Sequence, residues 1–150
     1  MQKRLGDGVI QDKMIVLDAS VVVKWFSEEE YTDKALEIRE RIRMGGERVV
    51  VPDLLLYELA NALKYNPSFD AHDVSDALTS IFDMDVDIVT PIPEIINSAV
   101  TLAFEHNITV YDAFYLALAK EIEFTFITAD GRLYKRVKDL NFVKFIGDIE

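Results

Sequence analysis

The chain contains no cysteine and only two histidines, His72 and His106. The first absence excludes disulfides, zinc–thiolate sites and thiol nucleophiles. The second leaves too few imidazoles for a histidine-based metal site. Cationic residues are also scarce: 16 Lys and Arg stand against 27 Asp and Glu, a formal net charge of −11. That balance argues against a broad electrostatic footprint for nucleic acid, although a local one survives where a bound cation neutralises acids. No apolar run approaches the roughly 20 residues of a membrane span. The N-terminal MQKRLGDGVIQDK lacks the apolar core of a secretory signal. A cytoplasmic location with no membrane partner is therefore expected. Any metal bound here must rely on carboxylates, which suit hard cations such as magnesium or manganese.

What is present is a single-domain quantity of apolar material, half of 150 residues. A chain of this length buries about 70% of its unfolded surface. The densest stretch is Thr109–Glu121, TVYDAFYLALAKE, where every residue from Tyr111 to Ala119 is apolar or aromatic except Asp112. A helix that is apolar all round lies inside a protein. Asp112 falls in its first turn, where free N–H groups and the helix dipole favour an anion.

Short apolar runs alternate with helical patterns along the rest of the chain. Strands are expected at Met14–Asp18, Arg48–Val51, Val86–Val89, Phe124–Thr128 and Phe142–Ile146. Between them lie a short helix from Ser20 to Phe26, with Ser20 as its cap, and a surface helix within Glu29–Met44. LLLYELANALKY follows, with Asp53 as N-cap, and then helices starting at Asp70 and Pro93 and a short basic helix after Gly131. This alternation predicts an α/β domain, a three-layer α/β/α sandwich with a central, mainly parallel sheet. The domain is expected to span residues 14–150, with 1–13 an N-terminal extension and Met14 an alternative start.

In such sheets ligands bind beyond the carboxyl ends of the strands. Asp18 ends the first strand, and Asp130 follows FTFIT directly. Glu58 is flanked by apolar residues within LLLYELANAL, and Asp112 opens the buried helix. Converging carboxylates repel one another unless a cation relieves them. One or two divalent ions would do so and would activate water toward a phosphate, a phosphodiesterase or phosphatase chemistry. The plainer roles are capping for Asp112 and Asp130, a turn for Asp18, and an exposed helix stripe for Glu58.

Taken together, MIVLDASVVVKWF, VPDLLLYELANAL, TVYDAFYLALAKE and FTFITADGRLYKRV resemble the PIN-domain nucleases, in particular the VapC-type toxin ribonucleases. The four segments occur in the family's order and span roughly Met14 to Ile146. The resemblance implies that Asp18, Glu58, Asp112 and Asp130 form an acidic quartet for one or two Mg²⁺ or Mn²⁺ ions. It also implies supporting roles for Ser20, Asn61 and Thr128. The implied activity is hydrolysis of RNA phosphodiesters by activated water, leaving 5′-phosphate and 3′-hydroxyl ends. An antitoxin partner and a homodimer are implied as well. A housekeeping RNA-processing nuclease or a non-catalytic interaction module of the same fold are the alternatives.

Lys24, Arg132, Lys135 and Arg136 are the candidates for contact with an RNA backbone. A solvated helix face is the plainer reading of the last three. Core packing is the expected role of Trp25, Phe26, Tyr57 and Tyr115, with base stacking as the alternative. A calcium loop at Asp83–Glu94 is excluded, because Ile88 stands where a glycine is needed and Pro91 and Pro93 interrupt it. A haloacid-dehalogenase-like phosphatase would need an acid at Ser20. A phospho-receiver domain would need a lysine after FTFIT.

Overall fold

The computed structural model describes residues 13–150. The expected extension over 1–13 therefore lies, apart from Lys13, outside the described residues. Five strands form one sheet: β1 (Lys13–Leu17), β2 (Glu47–Pro52), β3 (Val86–Val89), β4 (Thr125–Thr128) and β5 (Val143–Phe145). Every pairing is parallel, and the strand order is β3-β2-β1-β4-β5. Seven helices complete the three layers: α1 (Ala19–Val22), α2 (Thr32–Arg43), α3 (Leu54–Lys64), α4 (Ala71–Asp83), α5 (Pro93–His106), α6 (Val110–Ile122) and α7 (Gly131–Val137).

The order decides where a site can form. Progression outward from β1 through β2 to β3 reverses when the chain crosses back to β4 on the other side of β1. The β1/β4 boundary is thus the topological switch point, where a crevice opens at the strands' carboxyl ends. The register pairs Leu17 with Ile127, so the residues that follow, Asp18 and Thr128, reach the same sheet edge.

α6 is the central helix. It packs on β1, β2, β4 and α5, and Ala113 and Tyr115–Ala119 are buried. Thr109 caps it by accepting the Asp112 N–H at 3.0 Å. Asp112 therefore has no capping role, and its carboxylate is left for other work. Glu123, in the left-handed region, ends the helix.

Three local expectations are corrected. Ser20 lies inside α1, and Asp18 takes the N-cap position, so the Ser20 hydroxyl is turned to other partners. The short helix is α1 followed by a 3-10 turn over Val23–Trp25, consistent with its β-branched run. Asp53 occupies the N-cap position of α3 but makes no side-chain cap bond. α4 buries Ala77 and Ile81 and leaves Phe82 exposed, because it packs chiefly on α3 at the periphery.

Candidate functional site

Asp18 is the anchor of the switch point. It is only 4% exposed, and its carboxylate is held from two directions. Ser20 Oγ donates to Oδ1, and Thr128 Oγ1 donates to Oδ2 at 2.6 Å. Each hydroxyl is in turn fixed by a backbone N–H of the β4–α7 loop. Ala129 N–H donates to Ser20 Oγ at 2.9 Å, and Asp130 N–H to Thr128 Oγ1 at 3.0 Å. Two parallel relays, N–H to hydroxyl to carboxylate, thereby tie the end of β1 to the loop carrying Asp130.

Burial raises the Asp18 pKa to about 7, against the lowering effect of the two hydroxyls. The charges of Asp112 and Asp130 push it further in the same direction. Asp112 is half-buried and raised by burial, then by Asp130, with the Thr109 bond opposing. Glu58 is raised by burial and by Asp112, while a hydrogen bond from Tyr115 opposes. Asp112 thus acts on both Asp18 and Glu58, Asp130 acts on Asp18 and Asp112, and Asp112 and Asp130 line one cavity.

Among the described residues no Lys, Arg or His forms an ion pair with any of the four. Nor are three acid or imidazole side chains there gathered into a closed metal-binding group. The chemistry of the donor set nevertheless fits a hard divalent cation: four carboxylates, hydroxyls beside them, and no sulfur or imidazole. Buried negative charge without a partner is costly, and a cation is what would lower that cost.

The remaining sequence candidates divide. Asp130 keeps its capping role, since one carboxylate oxygen accepts from Arg132 N–H and Leu133 N–H at 3.0 and 3.1 Å. Asn61 is exposed and lines a different cavity, beside Tyr57 and Lys64. Arg132, Lys135 and Arg136 share a cavity of about 710 Å³ with Asp112 and Asp130. Arg132 and Lys135 are exposed there, whereas Arg136 donates to the Asn107 carbonyl at 2.9 Å and braces the α5–α6 turn. Lys24 is a correction: it is buried and pairs with Glu29 at 3.1 Å, so it cannot meet an RNA backbone.

Sequence reasoning missed the working part of Tyr115. Its ring is core, stacked at a tilt on Phe126, but its hydroxyl donates to Glu58 Oε1 at 2.7 Å. Burial and the adjacent Glu58 push the phenol well above its ordinary range, so it stays a donor. Its placement three residues after Asp112, on the next turn of α6, was the available signal. Tyr57 was also misjudged: it is 68% exposed and is not part of the core.

These features define an α/β domain of the three-layer, parallel-sheet class with acids concentrated at its switch point. The sequence profile of the PIN domain family matches residues 15–140, and the chain belongs to that family. Ribonuclease VapC3 of Pyrobaculum aerophilum is 29% identical over 126 residues, spanning 81% of this chain and 93% of its own. Two solved structures share the fold. One is a toxin–antitoxin complex from Klebsiella pneumoniae, 19% identical with a TM-score of 0.68, covering 90% of this chain and 99% of that one. The other is VapC20 of Mycobacterium tuberculosis, described as a sarcin–ricin loop cleaving toxin. It is 14% identical with a TM-score of 0.67, covering 86% of this chain and 96% of that one. Among the described residues no helix is long and apolar enough to cross a membrane.

Proposed function

We propose that this chain is a divalent-metal-dependent ribonuclease, the toxin of a toxin–antitoxin pair, with residues 14–150 as its nuclease domain. Asp18, Glu58, Asp112 and Asp130 would hold one or two Mg²⁺ or Mn²⁺ ions. The observation that carries this reading is Asp18, a buried carboxylate at the switch point that is crowded by other acids and paired with no cationic side chain among the described residues. When bound, such an ion supplies activation of water and relief of charge on the attacked phosphate.

The protein's own contribution is positioning. Ser20 and Thr128 hold Asp18 in one orientation, and Tyr115 does the same for Glu58. Arg132 and Lys135 line the same cavity as Asp112 and Asp130 and would receive backbone phosphates. The related ribonuclease and the toxin structures support RNA as substrate and an antitoxin as partner. A homodimer would use the outer face of α5, where Ile92, Ile96, Val100 and Phe104 recur four apart and exposed. Such a face is self-complementary about a two-fold axis.

The test is cleavage of cellular RNA by the purified chain with Mg²⁺ or Mn²⁺, against chelator and against Asp112→Asn. Cleavage is expected only with metal and only in the wild type, with both proteins folded by circular dichroism. Undiminished cleavage in chelator or by Asp112→Asn would refute the reading. Hydrolysis restricted to small phosphomonoesters would favour a phosphatase instead.

A further inference from the structure

The cavity that Asp112 and Asp130 share is lined from two sides. One side is α7, which starts beside Asp130 and carries Arg136 in its last turn. The other is the turn from α5 to α6, residues 107–109, which leads into Asp112. α7 packs chiefly on β5 and β4, not on α5 or α6. Two reciprocal bonds nevertheless cross between the sides. Arg136 Nη1 donates to the Asn107 carbonyl at 2.9 Å, and His106 Nδ1 lies 3.3 Å from the Arg136 carbonyl oxygen. A carbonyl oxygen only accepts, so the second contact takes the imidazole tautomer with Nδ1 protonated. Both carbonyls lie at helix C-termini, where the backbone leaves acceptors unmatched. Each is served by a basic side chain from the end of the other helix. Among the described residues no other hydrogen bond joins α7 to α5, α6 or the turn between them.

We infer that Arg136 and His106 are positioning residues, a clasp that sets the spacing of Asp112 from Asp130. The inference rests on the metal-dependent reading of the site. Short, bonded stretches of chain connect the clasp to both acids. Towards Asp112, the Asn107 and Ile108 N–H groups both bond the Ala103 carbonyl, and Thr109 then caps α6 by accepting the Asp112 N–H. Towards Asp130 runs a single short helix, whose first N–H groups are held by Asp130 itself. The relays to Ser20 and Thr128 pin that helix at its start, and the clasp pins it at its end. Like charge opposes this closure: the Asp130 carboxylate acts on Asp112 and raises its pKa. Without a metal, repulsion tends to part the two sides, and the clasp holds them. Both of its bonds are solvent-exposed, so breaking them should leave the fold intact.

Calorimetric titration of Mn²⁺ into the full chain, without RNA, tests the clasp through its sign. Removing a cation that lines the acids' cavity should, by electrostatics alone, tighten Mn²⁺ binding. The clasp predicts the reverse. Arg136→Met should weaken binding about 10-fold, the low end of losing an outer-shell partner. His106→Leu should weaken it too, and the double variant by less than the two effects combined, because the same clasp is broken. Arg136→Lys keeps a donor for a single carbonyl and should restore most of the affinity. Unchanged or tighter binding by Arg136→Met would overturn the assignment, and a rise in KM for RNA alone would make Arg136 a phosphate contact instead. Amide hydrogen exchange in chelator reads the clasp without metal. The Ile108 and Asp112 amides should exchange faster in Arg136→Met than in the wild type. Equal exchange at both amides would also overturn the assignment. A wild type that binds no Mn²⁺ yet shows the exchange difference would fail the metal reading and not the clasp.

Discussion

The buried Asp18 makes metal-free stability depend on pH in a direction opposite to that of most carboxylates. Its pKa rises from near 3.8 to about 7 on folding, chiefly through burial. Between those values the folded chain keeps a proton that the unfolded chain has lost. Stability is therefore highest at the low end of that window and falls as pH rises through about 7. At roughly 1.4 kcal/mol per pH unit, holding Asp18 ionised at pH 8 costs on the order of 4 kcal/mol. About half of that, ~2 kcal/mol, is lost between pH 5.5 and pH 8.

Asp18→Asn removes the charge and keeps the shape. One of the two hydroxyl bonds must reverse, because the amide nitrogen donates where a carboxylate oxygen accepted, and that costs about 1 kcal/mol at any pH. The pH-dependent part is isolated in the difference between the two proteins. Urea unfolding in chelator at pH 5.5 and pH 8 should show the variant's advantage growing by ~2 kcal/mol. In a domain of this size that corresponds to about 4–8 °C in Tm. Glu58 and Asp112 are raised too, so both proteins weaken at high pH, but only the wild type carries the Asp18 component. Saturating Mg²⁺ should then stabilise the wild type by about 3 kcal/mol at a hundred times its Kd, and the variant much less. A variant advantage that stays flat between the two pH values would refute the reasoning, because Asp18 would then not be buried as a charge.

Two further perturbations test the surroundings. Tyr115→Phe keeps the ring on Phe126 but removes the donor to Glu58; Mg²⁺ affinity by calorimetry should fall about 10-fold, the scale of losing an outer-shell partner, with about 1 kcal/mol lost in stability. Unchanged metal affinity would confine that hydroxyl to a packing role. Phe104→Glu places a charge at a side chain that is 84% exposed, so folding should be unaffected. Light scattering should report a monomer in place of a dimer, and an undisturbed dimer would move the interface away from α5.

Some of this architecture is legible in the sequence because it depends on local chemistry. MIVLD and FTFIT read as strands because continuous apolar runs bounded by acids and turn residues have few other outcomes, and Val86–Val89 falls where its alternation places it. Asp18 and Asp112 stand out as acids in apolar surroundings. What escapes local reading is decided by partners far along the chain. The phenol of Tyr115 meets Glu58 across 57 residues, and nothing within TVYDAFYLALAKE marks that ring as more than core. Tyr57 sits among leucines, yet the part of α3 that carries it faces outward. Lys24 reads as a surface cation, and its burial is set by Glu29 and by the turn that brings the two together. Asp130 shows that two readings need not compete, since one oxygen caps α7 while the carboxylate still acts on Asp18 and Asp112.

The division of capping labour explains how a fold this acidic keeps its carboxylates ready. Thr109 caps α6, so Asp112 does not have to, whereas Asp130 caps its own short helix and is fixed by doing so. The relays around Asp18 extend the same logic. Ser20 and Thr128 each accept from a backbone N–H before donating to the carboxylate, so neither hydroxyl can turn away without abandoning a second bond. The ionised Asp18 is thereby held in one geometry, with both carboxylate oxygens accepting. On the proposed reading, a cation arriving at the switch point would meet a ligand already oriented, with the ordering entropy met during folding rather than at binding. The same restraint bars Asp18 from swinging toward water when the metal is absent. Burial destabilises the Asp18 charge in the metal-free protein, while the hydroxyl bonds oppose that cost and would preorganise the carboxylate for a metal.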